Sequence, residues 1–238
     1  DQIYSWSDAN KTTPKTSAPA LSETIELFRP YVEEGRNIVC FSISNSMSSS
    51  GNVMQLAAEE LNAQDLITVI DSANLSTGIG LLVIEAAILA QNNKTAAEIS
   101  VAVENLKPYV RASFVVDTLT YLHRGGRCSA IAAMAGGLLK LHPQIIVEHG
   151  AMKPTKKYRG KMDSVILSYV KDMEPALKHA RPDRVFITHS GCEPTIINAV
   201  RSYLEGLGIF REILETRAGG VISSHCGPGT LGVLFIES

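Results

Sequence analysis

Two short apolar runs, Asn37–Ile43 (NIVCFSI) and Leu66–Ile70 (LITVI), place the strongest constraint on this chain. Both are short, rich in β-branched residues and bounded by polar turns, so each predicts a buried strand rather than a helix. A helical apolar pattern follows the first at Asn52–Ala63, and two follow the second at Thr77–Gln91 and Thr95–Tyr109. Strands alternating with helices over short links give a parallel sheet with helices on its faces. Ahead of the first strand, Ile25, Leu27, Phe28, Tyr31 and Val32 form a helical face, with Ser22 read as the N-cap and Gly35 as the stop. The first twenty residues are polar and turn-rich and read as an extended surface segment.

A second set begins at Ser113–Asp117 (SFVVD). Helices are predicted at Leu119–His123 and Ser129–Leu139, around an Arg-Gly-Gly-Arg turn, and a hairpin joins Gln144–Glu148 to Met152–Tyr158. The chain then reads as helix Ser164–His179, strand Arg184–Thr188, helix Pro194–Leu207, and strands Arg211–Glu215, Val221–Ser224 and Leu231–Ile236. The fold class is therefore α/β, with a boundary near Arg111 that divides the chain into an N-terminal domain, 1–111, and a C-terminal domain, 112–238. Composition narrows the function. Of 238 residues, 45% are hydrophobic and only 19% charged, which excludes a disordered chain. A net charge of -2 and an aromatic content of 6% speak against a nucleic-acid partner. The longest apolar stretch, Ile79–Ala90, is broken by Gly80 and Glu85 and falls short of the ~18 residues of a membrane span. The opening residues do not read as a signal peptide. Cys40, Cys128, Cys192 and Cys226 are far apart and form no CxxC pair. They read as reduced thiols of a cytoplasmic protein, with no metal site among them.

Three segments carry chemistry. The loop from Ser44 to Ser50 holds five serines in seven positions between a strand and a helix. Free N–H groups and the helix dipole favour an anion there, and hydroxyls add neutral donors; capping alone is the plainer reading. Pro14-Lys15-Thr16-Ser17-Ala18-Pro19 holds two adjacent hydroxyls in a rigid segment that otherwise reads as a linker. His225-Cys226-Gly227-Pro228-Gly229-Thr230 forms a defined turn beside a histidine, which either orients an anion or is structural. A serine paired with His225 would make an acyl hydrolase or transferase, although no GxSxG elbow is present. Gly78-Ile79-Gly80 lacks the spacing of a nucleotide loop and reads as a close backbone approach. The clusters Arg124–Arg127 and Lys156–Arg159 read singly as solvated turns and together as a partner-docking patch. The helix face with Leu81, Leu82, Ile84 and Ile88 is core, or in part the lining of an acyl tunnel.

In order along the chain, these motifs resemble the DegV family of bacterial lipid-binding proteins. The resemblance is carried by Thr16-Ser17-x-Pro19, the serine loop ending at Ser48, Val69-Ile70-Asp71-Ser72, Gly78-Ile79-Gly80-Leu81, the run Phe114–Arg127, and His225-x-Gly227-Pro228-Gly229-x-x-Gly232. It implies two α/β domains with one long-chain fatty acid between them. It implies a non-catalytic role as the acyl-binding subunit of a fatty acid kinase, presenting the acid to a separate ATP-dependent kinase subunit. The implied carboxylate ligands fall on Thr16, Ser48 and His225, with Ser17, Ser46 and Gly229 as additional contacts; Arg124, Arg127 and Arg159 are assigned to the partner face. Beyond the bound fatty acid the resemblance implies no cofactor, no metal, no nucleic acid and no integral membrane contact. The family's opening strand with its Asp-Ser turn has no counterpart here, so the N-terminal domain is expected to lack its first strand.

Overall fold

The computed structural model describes residues 2–126 and 141–238. The chain divides into two compact units. One comprises Ser17–Tyr109 with His149–Ala151, and the other Asp1–Thr16, Val110–Glu148 and Met152–Ser238.

The 17–109 unit is built from α2 (Leu21–Glu33), β1 (Ile38–Ser42), α3 (Ser50–Glu60), β2 (Ile67–Asp71), α4 (Thr77–Gln91) and α5 (Ala96–Leu106), which runs into a 3-10 turn at Lys107–Tyr109. β1 and β2 pair in parallel, from Ile38 opposite Ile67 to Ser42 opposite Asp71. A parallel pair needs a long crossover, which α3 supplies. Phe28 of α2, Ala57 and Ala58 of α3, and Ile67 of β2 share one core. The small alanines let α2 and α3 approach closely. The cap of α2 is Ala20 rather than Ser22: Glu23 reaches back to accept the Ala20 N–H at 3.3 Å. Gly35, at φ +68, ends the helix with N–H bonds turned back to the carbonyls of the last turn, as its sequence position requires. Leu81 and Leu82 are fully buried, whereas Ile88 is exposed, so the apolar face of α4 is only partly core. β1 borders an open, largely apolar groove of about 400 Å³ lined by Val39, Phe41, Val83 and Ala87.

The larger unit holds α1 (Gln2–Asn10), β3 (Val110–Val115), α6 (Thr120–Arg124), β4 (Leu141–Glu148), β5 (Ala151–Arg159), α7 (Met162–Asp172), α8 (Glu174–Leu177), β6 (Ala180–His189), α9 (Pro194–Gly206), β7 (Glu212–Arg217), α10 (Gly220–Cys226) and β8 (Leu231–Glu237). Its six strands lie in the order β5-β4-β3-β8-β6-β7. Among the described residues the sheet is mixed, where βα alternation predicts a parallel one: β3–β4, β3–β8 and β6–β8 are antiparallel, and β6–β7 is parallel. The reason lies in β8, whose continuous apolar run is buried at the centre and draws β3 and β6 to its two sides. Gly232 permits that approach, since a Cβ there would stand 2.6 Å from Ser113 O. Tyr169 of α7 lies wholly inside this core, bonded to Ser113 Oγ and Ser113 O at 2.8 Å each and accepting the Val233 N–H at 3.0 Å. The β4–β5 hairpin turns on His149 and Gly150, both at positive φ, as a two-residue turn demands.

Two segments depart from the sequence reading. Residues 2–10 form a helix, not an extended segment. Tertiary contacts make it one: Ser7 is fully buried, Tyr4 OH donates to Ser190 O at 3.0 Å, and Asp8 pairs with Arg124 at 3.2 Å. These contacts attach residues 1–16 to the larger unit, although the sequence reading groups them with 1–111; the later division falls between Tyr109 and Val110. Val221–Ser224, expected as a strand, lies within α10. The paired glycines 219 and 220 open that helix, and the Ser223 and Ser224 hydroxyls bond back to Ala218 O and Val221 O. The helix predicted at Ser129–Leu139, and Cys128, lie outside the described residues.

Candidate ligand-binding site

The parallel register of β1 and β2 brings their C-terminal ends, and therefore the serine loop and the Asp71–Asn74 turn, to one edge of the smaller unit. Ser44 N donates to Asn74 O at 2.9 Å, and Asp71 Oδ1 accepts the N–H of Asn45 at 3.2 Å and of Ala73 at 2.9 Å. Open α/β sheets bind ligands at such carboxyl ends. The serines divide in role. Ser44 is buried, and its hydroxyl donates to Gly150 O at 2.6 Å; the Ser46 hydroxyl bonds to the same carbonyl. Both are therefore committed to the backbone of 149–151. Ser48 is half-buried and lies within 2.8 Å of the Ser50 hydroxyl, just before α3. Ser49 stands at the N-cap without a side-chain cap bond, and the Ser48 hydroxyl instead accepts the N–H of Ser50, the first residue of α3, at 3.2 Å. Gly51 matters here: a Cβ would come within 2.5 Å of Asn45 Oδ1 and 2.9 Å of Ser42 Oγ. The close approach read at Gly78 is real and internal, because a Cβ there would meet Asn74 Oδ1 at 2.0 Å.

In the larger unit, Thr16 Oγ1 and His225 Nε2 stand 2.9 Å apart, although 209 positions separate them in the chain. Each is half-buried. α1 and Arg124 hold the Thr16 side: Arg124 stacks over Tyr121 at 5.6 Å and pairs with Asp8, while its carbonyl accepts Lys15 Nζ at 3.4 Å. His225 lies in the last turn of α10 and packs on Gly125, where a Cβ would lie 2.1 Å from Nδ1. The turn beyond it is forced by glycine. Gly227 has φ +78, and a Cβ on it would strike the Tyr121 ring at 2.6 Å; Gly229 has φ +72. Ser190 Oγ donates to Gly227 O, Thr230 N donates to Ser190 Oγ at 3.2 Å, and Thr230 Oγ1 donates to Cys226 O at 3.0 Å. A hydroxyl whose oxygen accepts an imidazole N–H can donate its own O–H to one carboxylate.

The other sequence-predicted residues sort differently. Ser17 is exposed and belongs to the smaller unit, as does Ser48. Arg124 is committed to Asp8, Ser7 O and Tyr121, so it serves the fold around Thr16 rather than an open patch. Arg159 is exposed on the edge strand β5, where cations and Pro154 also guard against edge pairing. Arg127 lies outside the described residues. The sequence reading includes Tyr121 and Gly125 in the Phe114–Arg127 run without giving either a role as a support of the turn, and it does not single out Ser190. Among the described residues no group of three or more His, Cys, Asp or Glu could hold a metal ion, and no helix is long and apolar enough to cross a membrane.

A family model described as "DegV: Uncharacterised protein, DegV family" matches residues 1–238. A DegV domain-containing protein of Clostridium perfringens is 32% identical over 227 residues, 94% of this chain and 77% of that protein. A solved fatty-acid-binding DegV family protein from Thermus thermophilus matches with a TM-score of 0.90 at 26% identity, over 100% of this chain and 84% of the other. A stearic acid-binding protein from Eubacterium ventriosum matches with a TM-score of 0.82 at 25% identity, over 99% and 83%.

Proposed function

This chain belongs to the DegV family, and on that premise we propose that it binds one long-chain fatty acid and presents the carboxylate to a separate ATP-dependent kinase subunit, without catalysing a reaction itself. The observation that carries the reading is the Thr16–His225 pair at 2.9 Å, beside a turn whose left-handed backbone glycine permits. Fatty acid binding by the Thermus thermophilus and Eubacterium ventriosum proteins supports it. Neutral donors suit a fatty acid head group. A buried lysine or arginine would cost desolvation that its attraction need not repay. The tail supplies affinity: at ~0.8 kcal/mol per methylene, about fourteen buried methylenes contribute roughly 11 kcal/mol before ordering costs. The head group then sets orientation, which is what a phosphoryl acceptor requires. Ser48 is the second hydroxyl assigned to the carboxylate, and Gly229 is assigned as a backbone contact. Cys40, Cys192 and Cys226 are unpaired thiols, as a cytoplasmic site of action would have them.

The test is native mass spectrometry of the purified protein, followed by solvent extraction and identification of any released lipid. One long-chain fatty acid per chain is expected. An apo mass that stays unchanged after incubation with fatty acids would overturn the reading. Replacing Thr16 and Ser48 together by alanine is expected to lower lipid retention while the fold survives. A serine-directed fluorophosphonate is expected to leave the protein unlabelled; labelling lost on replacing one serine would establish an acyl hydrolase or transferase instead.

A further inference from the structure

The loop after β6 is organised around an imidazole that head-group binding does not use. His189 closes β6 and is 7% exposed. Its Nδ1 accepts the backbone N–H of Gly191 at 3.3 Å and of Cys192 at 3.2 Å. A backbone N–H can only donate, so Nδ1 carries a lone pair and the ring proton sits on Nε2. Nε2 faces Glu215 Oε1 on β7 at 3.5 Å. The geometry therefore demands a neutral ring in one tautomer. The loop held this way is itself a clamp. Ser190 N donates to Thr230 O at 2.9 Å, Cys192 Sγ donates to the same carbonyl at 3.4 Å, and the Ser190 hydroxyl bonds to Gly227 O. Residues 190–192 thus grip the turn that follows His225.

We infer that His189 is a positioning residue that holds the His225 turn in place only while its imidazole is neutral, so that the turn loosens on acidification. Protonation would put a hydrogen on Nδ1 against two N–H donors, converting two hydrogen bonds into two repulsions. The charged groups around the ring do not reverse this. Glu215 favours the charged form, but Arg201 of α9 already holds its other oxygen at 3.0 Å, and Arg217 on β7 opposes a second positive charge. On the β8 side the paired residue is Leu231, which carries no charge. Asp163 of α7 and Glu193, which caps α9, act on the neighbouring Cys192 thiol. Burial is the largest influence and pushes His189 below its ordinary 6.5. The ring is therefore neutral near neutral pH and takes up a proton only below the ordinary histidine range. The consequence for lipid retention rests on the function proposed above; the positioning role does not.

The experiment measures amide hydrogen-exchange protection of Gly191, Cys192 and Thr230 in the whole protein from about pH 7.5 to about pH 5, with the His189 ring-carbon shift followed in the same samples. His189→Asn is the conservative variant, since its side-chain oxygen can accept where Nδ1 does and does not titrate. In the wild type, protection is expected to fall roughly tenfold with the midpoint of the ring titration, and in His189→Asn to stay level. Level protection in the wild type, a ring that titrates while the amides do not respond, or an equal fall in His189→Asn would each overturn the inference. If the variant fails to fold, coincidence of the two wild-type midpoints decides alone. Native mass spectrometry at both pH extremes separates the two claims: amides that respond on a protein with no lipid at either pH would sink the fatty-acid reading and leave this one standing.

Discussion

Replacing Gly125 by alanine would place a methyl carbon 2.1 Å from His225 Nδ1, 2.8 Å from Cε1 and 3.2 Å from Tyr121 O. No carbon tolerates the first two distances, so the ring must leave its rotamer, and Thr16 Oγ1 then loses its partner at 2.9 Å. An off-rotamer side chain costs about 1 kcal/mol and a lost hydrogen bond about 1 kcal/mol more, so Gly125→Ala should destabilise by about 2 kcal/mol. For a domain of this size that lowers the melting temperature by roughly 4–8 °C. Urea unfolding of the wild type, Gly125→Ala, His225→Ala and the double variant closes the cycle. With the imidazole gone, the new methyl loses its two shortest contacts, so the coupling between the two substitutions should be at least about 1 kcal/mol. Equal costs of Gly125→Ala in both backgrounds would refute the contact as the reason for glycine here. If the ring is part of the carboxylate site, lipid retention by Gly125→Ala should fall in parallel with that of His225→Ala.

Three further outcomes follow from individual contacts. Tyr169→Phe removes a hydroxyl that serves Ser113 and Val233 inside the larger core, and should cost about 2–3 kcal/mol in urea unfolding, because two buried backbone groups lose a partner. Ser44→Ala should destabilise by about 1–2 kcal/mol, and Ser46→Ala by less than half of that in the same assay, because Ser44 is buried and Ser46 exposed while both bond to Gly150 O. Burial pushes the Cys226 thiol up to about 12, so at pH 8 the native protein should leave it unmodified by iodoacetamide and the urea-unfolded chain should alkylate it, as peptide mass spectrometry would read.

Several elements are legible in the amino-acid sequence alone. The runs at Asn37–Ile43 and Leu66–Ile70 become β1 and β2 because a short buried strand has a local signature: β-branched residues between turns. The β4–β5 hairpin is legible for the same reason, with its glycine at the turn. α1 is not legible. It has little amphipathic pattern, and what makes it a helix is the burial of Ser7 and the reach of Tyr4 to Ser190, 186 positions away. α10 reads wrongly as a strand because Val221 and Ile222 favour strands locally, while the close approach of Gly227 to the Tyr121 ring is a tertiary fact. The roles of the serines are likewise invisible in composition: five hydroxyls look alike until the Gly150 carbonyl claims two of them.

The candidate residues Thr16, Ser48 and His225 are named from motifs, and motifs say which side chains a turn or helix end displays. They do not say which of those side chains meet. Propensity and periodicity decay within a few residues, so they determine that a turn follows His225 or that a short strand leads into the serine loop. The partner of His225 is set by the order β3-β8-β6, which is chosen by the apolar area that β8 buries at the centre of its sheet. That choice sums over the whole unit, and only after it is made does a threonine near the start of the chain stand 2.9 Å from a histidine near its end.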